Sequence, residues 1–239
     1  MKRALVTGGS GGIGAAICRR LAMDGCQVIV HANRHRQKAD ELVAAIIEQG
    51  GHAETAVFDV TDRSGCATAL AALLEQGTIQ ILVNNAGIHA DAVFPGMSGE
   101  QWDSVIDVSL NGFFNVTQPL LMAMIRSRWG RIVNVTSVAG VAGNRGQVNY
   151  SAAKGALHAA SKALALEVAS RGITVNAVAP GIIATSMSEG AFSAEAIKTL
   201  VPMKRAGRPE EVADLVAFLA SENAAYISGQ IISINGALI

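Results

Sequence analysis

The amino-acid sequence predicts an α/β protein built on a doubly wound parallel sheet of about seven strands. Short segments of strand-forming residues alternate with longer helical segments along the whole chain. Several short segments are almost continuously apolar, such as residues 81–83 and 132–133, which is typical of strands covered by helices on both faces. The 239 residues contain no repeat, linker or low-complexity segment, so we expect one domain over residues 1–239.

The candidate elements follow one another from the first residues to the last. The candidate strands are residues 4–7, 27–31, 54–58, 79–83, 131–136, 174–178 and 231–234. The candidate helices are residues 12–24, 36–49, 62–76, 99–126, 150–170 and 209–220. Pro209 suits the first turn of the last helix, and the acidic Glu210 and Glu211 suit its positive end. The least regular region is 181–208, where a short helix is predicted over 193–200.

Composition and charge exclude several classes of protein. Apolar residues make up 50% of the chain and charged residues 16%, which excludes a disordered chain. The 19 basic and 19 acidic residues give zero net charge, so no nucleic-acid partner is expected. No stretch reaches about 18 consecutive apolar residues, and glycines interrupt the first apolar run, so neither a membrane span nor a secretory signal is expected. Cys18, Cys26 and Cys66 are odd in number and lack a C-x-x-C spacing, so we expect no disulfide, no metal and a cytoplasmic location.

A glycine-rich segment directly follows the first candidate strand and precedes the first helix. Its spacing fits both Gly-x-Gly-x-x-Gly and Gly-x-x-x-Gly-x-Gly. Glycines let a backbone approach a pyrophosphate closely, and the free N–H groups of a helix start attract its charge. The pattern predicts a Rossmann-type dinucleotide site whose phosphate cradle is formed by Gly8, Ser10, Gly11, Gly12, Ile13 and Gly14.

The same segment also matches the pattern Gly8-x-Ser10-x-Gly12, which is that of the nucleophile elbow of hydrolases. An elbow normally follows several strands and needs a histidine on a late loop. Here only one strand precedes the serine, four of the five histidines come early, and His158 lies in a predicted helix. The sequence therefore favours a cofactor turn over a hydrolase.

The residues after the second strand favour NADP over NAD. A protein that binds NAD often has an acidic residue about 20 residues after the glycines, which binds the ribose 2′-hydroxyl. This chain has His31-Ala32-Asn33-Arg34 there, with no acid. A guanidinium binds a 2′-phosphate that a carboxylate would repel, so Arg34 is the candidate partner of that phosphate.

The start of the fifth candidate helix carries a pair that suits acid–base chemistry. Tyr150 and Lys154 are four residues apart and share one helical face. A phenol titrates near pH 10, and a neighbouring ammonium is expected to lower that pKa toward a catalytic range. Ser137 follows the fifth candidate strand, where its hydroxyl is placed to hold a substrate carbonyl near Tyr150.

With these residues in order, the chain resembles the short-chain dehydrogenase/reductases nearly from end to end. The resemblance rests on Thr7-Gly8-x-x-x-Gly12-x-Gly14, Asp59-Val60, Asn84-Asn85-Ala86-Gly87, Ser137, Tyr150-x-x-x-Lys154 and Pro180-Gly181. It implies that Tyr150 is the general acid, that Ser137 positions the carbonyl, and that Lys154 binds the nicotinamide ribose and lowers the Tyr150 pKa. It also implies further cofactor contacts from Asp59 and Val60 at the adenine, from Asn85, Ala86 and Gly87 in the cleft, and from Pro180, Gly181, Ile183 and Thr185 near the nicotinamide.

One position departs from the family pattern. The family usually has asparagine in the helix before Ser137, where it holds a water of the proton relay, and here Ser109 stands at that position. Asn111 does not replace it, because two residues along a helix rotate the side chain by about 200°. We expect Ser109 to give a working but altered relay.

Within the family, the chain is most similar to β-ketoacyl-ACP reductases, over residues 84–88, 167–176, 218–222 and 226–229. The similarity implies reduction of a 3-oxoacyl thioester by NADPH, in fatty-acid or specialised polyene or polyketide synthesis. It also implies docking of an acyl carrier protein on Arg128 and Arg171 beside the cleft, a cover for the acyl chain over 187–200, and a homotetramer. Two alternatives stay open: a reductase of a free ketone or alcohol, and a non-catalytic NADP-binding regulator.

Overall fold

The computed structural model describes residues 1–185 and 193–239 and confirms the predicted fold class. Seven parallel strands form one sheet in the order β3-β2-β1-β4-β5-β6-β7. The strands are β1 (Arg3–Val6), β2 (Gln27–Ala32), β3 (His52–Val57), β4 (Ile81–Asn84), β5 (Gly130–Val135), β6 (Ile173–Pro180) and β7 (Ile231–Ile234). The strand order reverses between β1 and β4, which is where open α/β sheets bind their ligands.

The α-helices lie on both faces of this sheet. They are α1 (Gly12–Met23), α2 (Arg36–Glu48), α3 (Arg63–Glu75), α4 (Gly99–Ile106), α5 (Gly112–Ser127), α6 (Ala139–Ala142), α7 (Val148–Val168), α8 (Ala194–Leu200) and α9 (Pro209–Ala220). One core packs α1, α2 and α9 against the sheet, and the other packs α3, α5 and α7. Each of the strands β1, β4 and β5 is buried throughout, although Arg3, Asn84, Arg131 and Asn134 interrupt their apolar sequences.

The predicted helical stretch over 99–126 is confirmed, but it contains a π-helical turn that the sequence pattern did not indicate. A π-helical segment, Asp107–Asn111, separates α4 from α5. Gly112 allows the close approach that follows, because a Cβ there would lie 3.1 Å from Cγ2 of Val60. Apolar periodicity does not reveal an inserted residue in a helix that is apolar on several faces, so the sequence pattern could not locate this break.

The remaining differences are small. Helix α7 begins two residues before Tyr150, and α6 was missed because a four-residue helix has no periodicity to detect. All three cysteines are buried as free thiols. Among the described residues, no helix is both long and apolar enough to cross a membrane.

Candidate active site

The glycine turn between β1 and α1 has a backbone that residues with a side chain adopt only with strain. Gly8 and Gly12 have positive φ angles of 61° and 51°. A Cβ on Gly14 would lie 2.2 Å from the carbonyl oxygen of Gly8. Gly11 caps α1 in an extended conformation, and the first turn of α1 contains no acidic residue. The unobstructed helix start and the close backbone therefore fit a dinucleotide pyrophosphate.

His31 supports this turn from β2. Its carbonyl accepts a hydrogen bond from Gly9 N at 2.8 Å, and its Nδ1 accepts one from Gly8 N at 3.0 Å. Its Nε2 donates to the carbonyl of Phe58 at 2.8 Å. Burial lowers the pKa of His31 to about 4, so the ring is neutral at pH 7. Both ring nitrogens are occupied, which leaves this histidine unable to activate Ser10 as a hydrolase would require.

The ends of β2 and β3 bring the predicted adenine-side residues together. Oδ1 of Asp59 accepts hydrogen bonds from the backbone N and the hydroxyl of Thr61, at 2.9 and 2.8 Å. These bonds, a bond from Asn33 and the charge of Arg34 lower the pKa of Asp59. Arg34 is exposed and lies close enough to interact with this carboxylate. An exposed guanidinium at this edge suits a 2′-phosphate.

The residues after β4 fasten the two central strands at the point where the strand order reverses. Nδ2 of Asn85 donates to the carbonyls of Thr7 and Gly8, at 2.9 and 3.1 Å. The hydroxyl of Thr7 accepts from the backbone N of Asn85 and of Ala86, at 2.9 and 3.0 Å. Asn85 therefore holds the shape of the glycine turn, and Thr7, which was not predicted as a site residue, is its partner.

Ser137, Tyr150 and Lys154 lie together beside this turn. Ser137 follows β5, and its side chain forms a hydrogen bond with Tyr150. Nζ of Lys154 lies 5.5 Å from the centre of the Tyr150 ring and donates to the carbonyl of Val135 at 3.1 Å. A Cβ on Gly87 would lie 3.3 Å from the same Nζ, so Lys154 faces the cleft next to that glycine.

The structure differs from the prediction that Lys154 lowers the Tyr150 pKa. Burial raises the pKa of Tyr150 to about 12, although the bond from Ser137 opposes this and Asp91 adds to it. Burial also lowers the pKa of Lys154 to about 8. The ammonium lies over the ring and bonds to a carbonyl, so the loss of hydration outweighs its effect on the phenol.

His89 is a site residue that the sequence reading did not identify. Its ring stacks on the ring of Tyr150, with centres 4.5 Å apart and planes 28° apart. Nε2 of Gln147 lies 3.3 Å from Nδ1 of His89 and donates to Oδ2 of Asp91 at 2.8 Å. No recognised motif includes this residue, and only the fold brings the loop after β4 against the start of α7.

Ser109 lies in the π-helical segment and is buried, with no hydrogen-bond partner for Oγ among the described residues. It lines a small cavity with Thr7, Asn84, Ala86 and Leu157 among others. Asn111 is exposed and donates to Asp107, so it faces away from that cavity. The cavity lies between the glycine turn and the helix that carries Lys154.

The loop after β6 lies across the cleft from the glycine turn. A Cβ on Gly12 would lie 3.5 Å from Cγ2 of Thr185. Ile183 is buried and pairs with Gly207 through an isolated bridge, and Gly181 packs closely on Asn235. Of the predicted acyl cover over 187–200, residues 187–192 lie outside the described residues, and α8 begins at Ala194 with Ser193 as its cap.

Arg128 and Arg171 are close together but do not lie beside the cleft of their own chain. Both are exposed, and Nη2 of Arg128 donates to the carbonyl of Ser170 at 3.2 Å. They precede β5 and β6, whereas Ser137 follows β5. A six-residue strand is about 20 Å long, so the expected position beside the cleft is wrong for one chain.

Comparisons with known proteins show the family to which the chain is similar. A sequence model of the family described as short chain dehydrogenase matches residues 2–196. The chain is 47% identical over 236 residues to the 3-oxoacyl-[acyl-carrier-protein] reductase FabG of Aggregatibacter actinomycetemcomitans, covering 98% of each chain. It is 45% identical over 240 residues to Nodulation protein G of Azospirillum brasilense, covering 99% of this chain and 98% of the relative. It is 43% identical over 244 residues to an acetoacetyl-CoA reductase of an Acinetobacter species, covering 99% and 97%.

Proposed function

The chain belongs to the short-chain dehydrogenase family and is an oxidoreductase, and from that premise we propose that it reduces the 3-oxo group of an acyl thioester with NADPH. The observation that carries the proposal is the cluster of Ser137, Tyr150 and Lys154 beside a glycine turn shaped for a dinucleotide. Relatives named as 3-oxoacyl and acetoacetyl-CoA reductases support the substrate class.

The residues present fit NADPH, which when bound supplies the hydride to the carbonyl carbon. The predicted contacts divide by function: the glycine turn binds the pyrophosphate, Arg34 the 2′-phosphate, and Asp59 and Val60 the adenine. On the nicotinamide side, Lys154 binds the ribose, with Ile183 and Thr185 at the carboxamide. The protein thus orients the cofactor and excludes water.

The proton comes from the chain itself. Ser137 donates a hydrogen bond to the carbonyl oxygen, and Tyr150 transfers its proton to the alkoxide as that oxygen becomes negative. The raised pKa of Tyr150, about 12, keeps the phenol protonated at neutral pH, and an alkoxide is a stronger base than a phenolate. The ammonium of Lys154 then stabilises the phenolate.

Ser109 extends this proton route in our proposal. Its buried hydroxyl is directed into the cavity beneath the cofactor turn and has no partner among the described residues. A water bound there would accept or donate a hydrogen bond at Ser109, and a serine reaches less far into such a cavity than an asparagine.

We further propose that an acyl carrier protein docks on Arg128 and Arg171 of a neighbouring copy within a homotetramer. Helix α5 exposes Phe114, Gln118 and Met122 along one face. If two copies pair these faces in antiparallel fashion, the end of one α5, which precedes Arg128, lies beside the start of the other, next to Ser109. The partner's arginines then lie nearer the cleft than the chain's own pair.

The experiment that tests the function measures NADPH oxidation with acetoacetyl-CoA and with an acetoacetyl carrier protein. NADH is measured in parallel, and Tyr150→Phe provides the blank. We expect turnover with NADPH and a higher kcat/KM for the carrier-bound substrate, in an enzyme whose three free thiols suit a reducing cytoplasm. NADPH binding without turnover of either substrate would instead support another ketone or a non-catalytic role.

A further inference from the structure

The imidazole of His89 is placed where a substrate must pass. His89 lies in the loop after β4, two residues beyond Gly87, where an added Cβ would lie 3.3 Å from Nζ of Lys154. Its ring stacks on Tyr150, and 33% of its side chain is exposed. A group that lies flat on the general acid and is also open to solvent borders the space in which the reacting carbonyl approaches the phenol.

Neighbouring residues fix which nitrogen of His89 carries the proton. The carboxylate of Asp91 accepts from Nε2 of Gln147 at 2.8 Å, which orients the Gln147 amide with its nitrogen toward this side. The same nitrogen lies 3.3 Å from Nδ1 of His89, so Nδ1 accepts. A neutral ring then carries its proton on Nε2.

The charges around the ring keep it neutral. Burial and the ammonium of Lys154 lower the pKa of His89, and only Asp91 acts in the opposite direction. Tyr150, which faces the ring, is an uncharged phenol at neutral pH because its own pKa is raised to about 12. His89 therefore offers one neutral N–H donor rather than a cation.

This N–H donates to no group among the described residues, and the loop does not need it for its attachment. Nδ2 of Asn149 donates to the carbonyl of Ala90 at 2.9 Å, and the backbone N of Ala92 donates to the carbonyl of Gly146 at 2.9 Å. These bonds already join the loop to the start of α7. An imidazole whose Nδ1 accepts from Gln147 and whose Nε2–H is unused is suited to binding a ligand.

We propose that Nε2–H of His89 binds the second oxygen of the substrate, the thioester carbonyl that lies two carbons from the reacting ketone. This inference rests on the proposed function. The two oxygens of a 1,3-dicarbonyl lie a few ångströms apart, which matches rings stacked 4.5 Å apart that each present one donor. The site thereby selects 3-oxoacyl thioesters over isolated ketones, because an isolated ketone leaves this donor unpaired.

The test uses two substrates that differ in one carbonyl group. Acetoacetyl-CoA carries the thioester oxygen, whereas S-(3-oxobutyl)-CoA has a methylene in its place and keeps the ketone and the CoA. His89→Phe preserves a flat ring on Tyr150 but has no N–H, and His89→Gln keeps a donor without a ring. The dissociation constant for NADPH is measured for each protein, so that a disturbed cofactor site is recognised.

We expect His89→Phe to lower the ratio of kcat/KM for acetoacetyl-CoA to kcat/KM for the thioether about tenfold, since one neutral hydrogen bond to the thioester oxygen is lost, and to leave NADPH binding unchanged. His89→Gln should recover part of the loss. If the thioether is not reduced, its inhibition constant against acetoacetyl-CoA replaces its kcat/KM in the comparison. If the ratio of kcat/KM for the two substrates is the same in His89→Phe as in the wild type, the inference is overturned while the function stands. No reduction of acetoacetyl-CoA by the wild type overturns the function itself.

If His89→Phe binds NADPH poorly, the decision passes to His89→Gln. The selectivity of His89→Gln between the two substrates is then compared with that of His89→Ala. A value closer to that of the wild type than to that of His89→Ala supports a donor at this position. Equal selectivity in His89→Gln and His89→Ala contradicts it.

Discussion

At the residue scale, burial decides the protonation states of the site. Burial raises the pKa of Tyr150 and lowers the pKa values of Lys154 and His31, so in each case the neutral form is favoured. Tyr150 is thus a protonated phenol at neutral pH, and His31 is a neutral ring that accepts from the glycine turn. The cluster is arranged to donate a proton, as ketone reduction requires.

Tyr150→Phe should lower the rate of reduction by about 10²–10⁴-fold, because it removes the proton donor and little else. NADPH binding, followed by its fluorescence, should remain. Tyr226→Phe is the matched control, since Tyr226 is fully exposed at 104%. Comparable activity of the two variants would contradict the assignment of Tyr150 as the general acid.

Ser109→Ala should lower kcat at neutral pH severalfold without changing the KM for NADPH, because the cavity loses its hydroxyl. Ser109→Asn should retain activity, since an amide can hold the same water. The pH profile of kcat is the measurement. A rate for Ser109→Ala equal to that of the wild type would show that Ser109 takes no part in proton transfer.

His31 should make the stability of the protein depend on pH in the acid range. Its folded pKa is about 4 against an ordinary value of 6.5, with Asp59 nearby acting weakly in the opposite direction. Between pH 6.5 and 4 the unfolded chain takes up a proton that the folded chain does not, so the free energy of unfolding falls as the pH falls, by roughly 3 kcal/mol for a shift of this size.

Urea unfolding of the wild type and of His31→Phe over this pH window measures the effect. The variant should be less stable at pH 7, because Gly8 N and the Phe58 carbonyl lose their partner, but its stability should fall less steeply toward pH 4. Parallel curves for the two proteins would disprove the contribution of His31.

At the element scale, the glycine turn depends on the close approach of Gly14 to the carbonyl oxygen of Gly8. Alanine normally stabilises a helix relative to glycine by up to about 1 kcal/mol. Gly14 lies within α1, yet a Cβ there would lie 2.2 Å from the carbonyl oxygen of Gly8. The first turn of the helix and the end of β1 therefore fit together only without a side chain.

Gly14→Ala should destabilise the cofactor-free protein by about 1–3 kcal/mol, because the backbone of the turn must shift. Gly11→Ala is the control, since nothing lies within 4 Å of a Cβ at that position. Thermal unfolding without cofactor compares the two. Equal midpoints would mean that the turn tolerates a Cβ at Gly14.

The π-helical segment between α4 and α5 is also a property of an element. The apolar pattern indicated one long helix, and the structure inserts a π-helical segment that places Ser109 in the wall of the cavity. Such segments are frequent at functional sites. The apolar periodicity of a helix indicates which of its faces are buried, but it does not reveal the extra residue that makes one turn π-helical.

At the scale of the whole molecule, the position of Arg128 and Arg171 is the reason that the carrier docking we propose involves a second copy of the chain. Arg128 and Arg171 lie at the amino ends of β5 and β6, and the candidate catalytic residues lie beyond the carboxyl end of β5. A carrier protein that contacts the pair and delivers its acyl group to the same chain would have to span the length of the sheet. Pairing of two copies through α5 removes this difficulty.

Replacing both arginines with glutamate should lower kcat/KM for the carrier-bound substrate at least tenfold and leave acetoacetyl-CoA unaffected, since the acidic carrier loses its electrostatic attraction. Arg19→Glu, at an exposed position on α1, makes half of the same charge change, two units against four, away from the pair and should not lower this kcat/KM tenfold. The effect should weaken as salt is added. A loss of equal size with both substrates would instead indicate damage to the fold or the assembly.

The sequence by itself determined the features that depend on neighbouring residues. Alternation of apolar strands and helices gave the parallel sheet, the glycine spacing gave the turn, and a separation of four placed Tyr150 and Lys154 on one face. Motifs of this kind are local, because their geometry follows from the backbone of one turn or one helix.

Only the tertiary structure decided which distant residues meet. It joined His31 to Gly8, His89 to Tyr150 and Thr7 to Asn85, and it placed the arginine pair at the far end of the sheet. It also reversed the expected direction of the Tyr150 pKa shift. The physical reason is that loss of hydration and contacts between strands depend on the packing of segments far apart in the chain, which no local pattern of residues records.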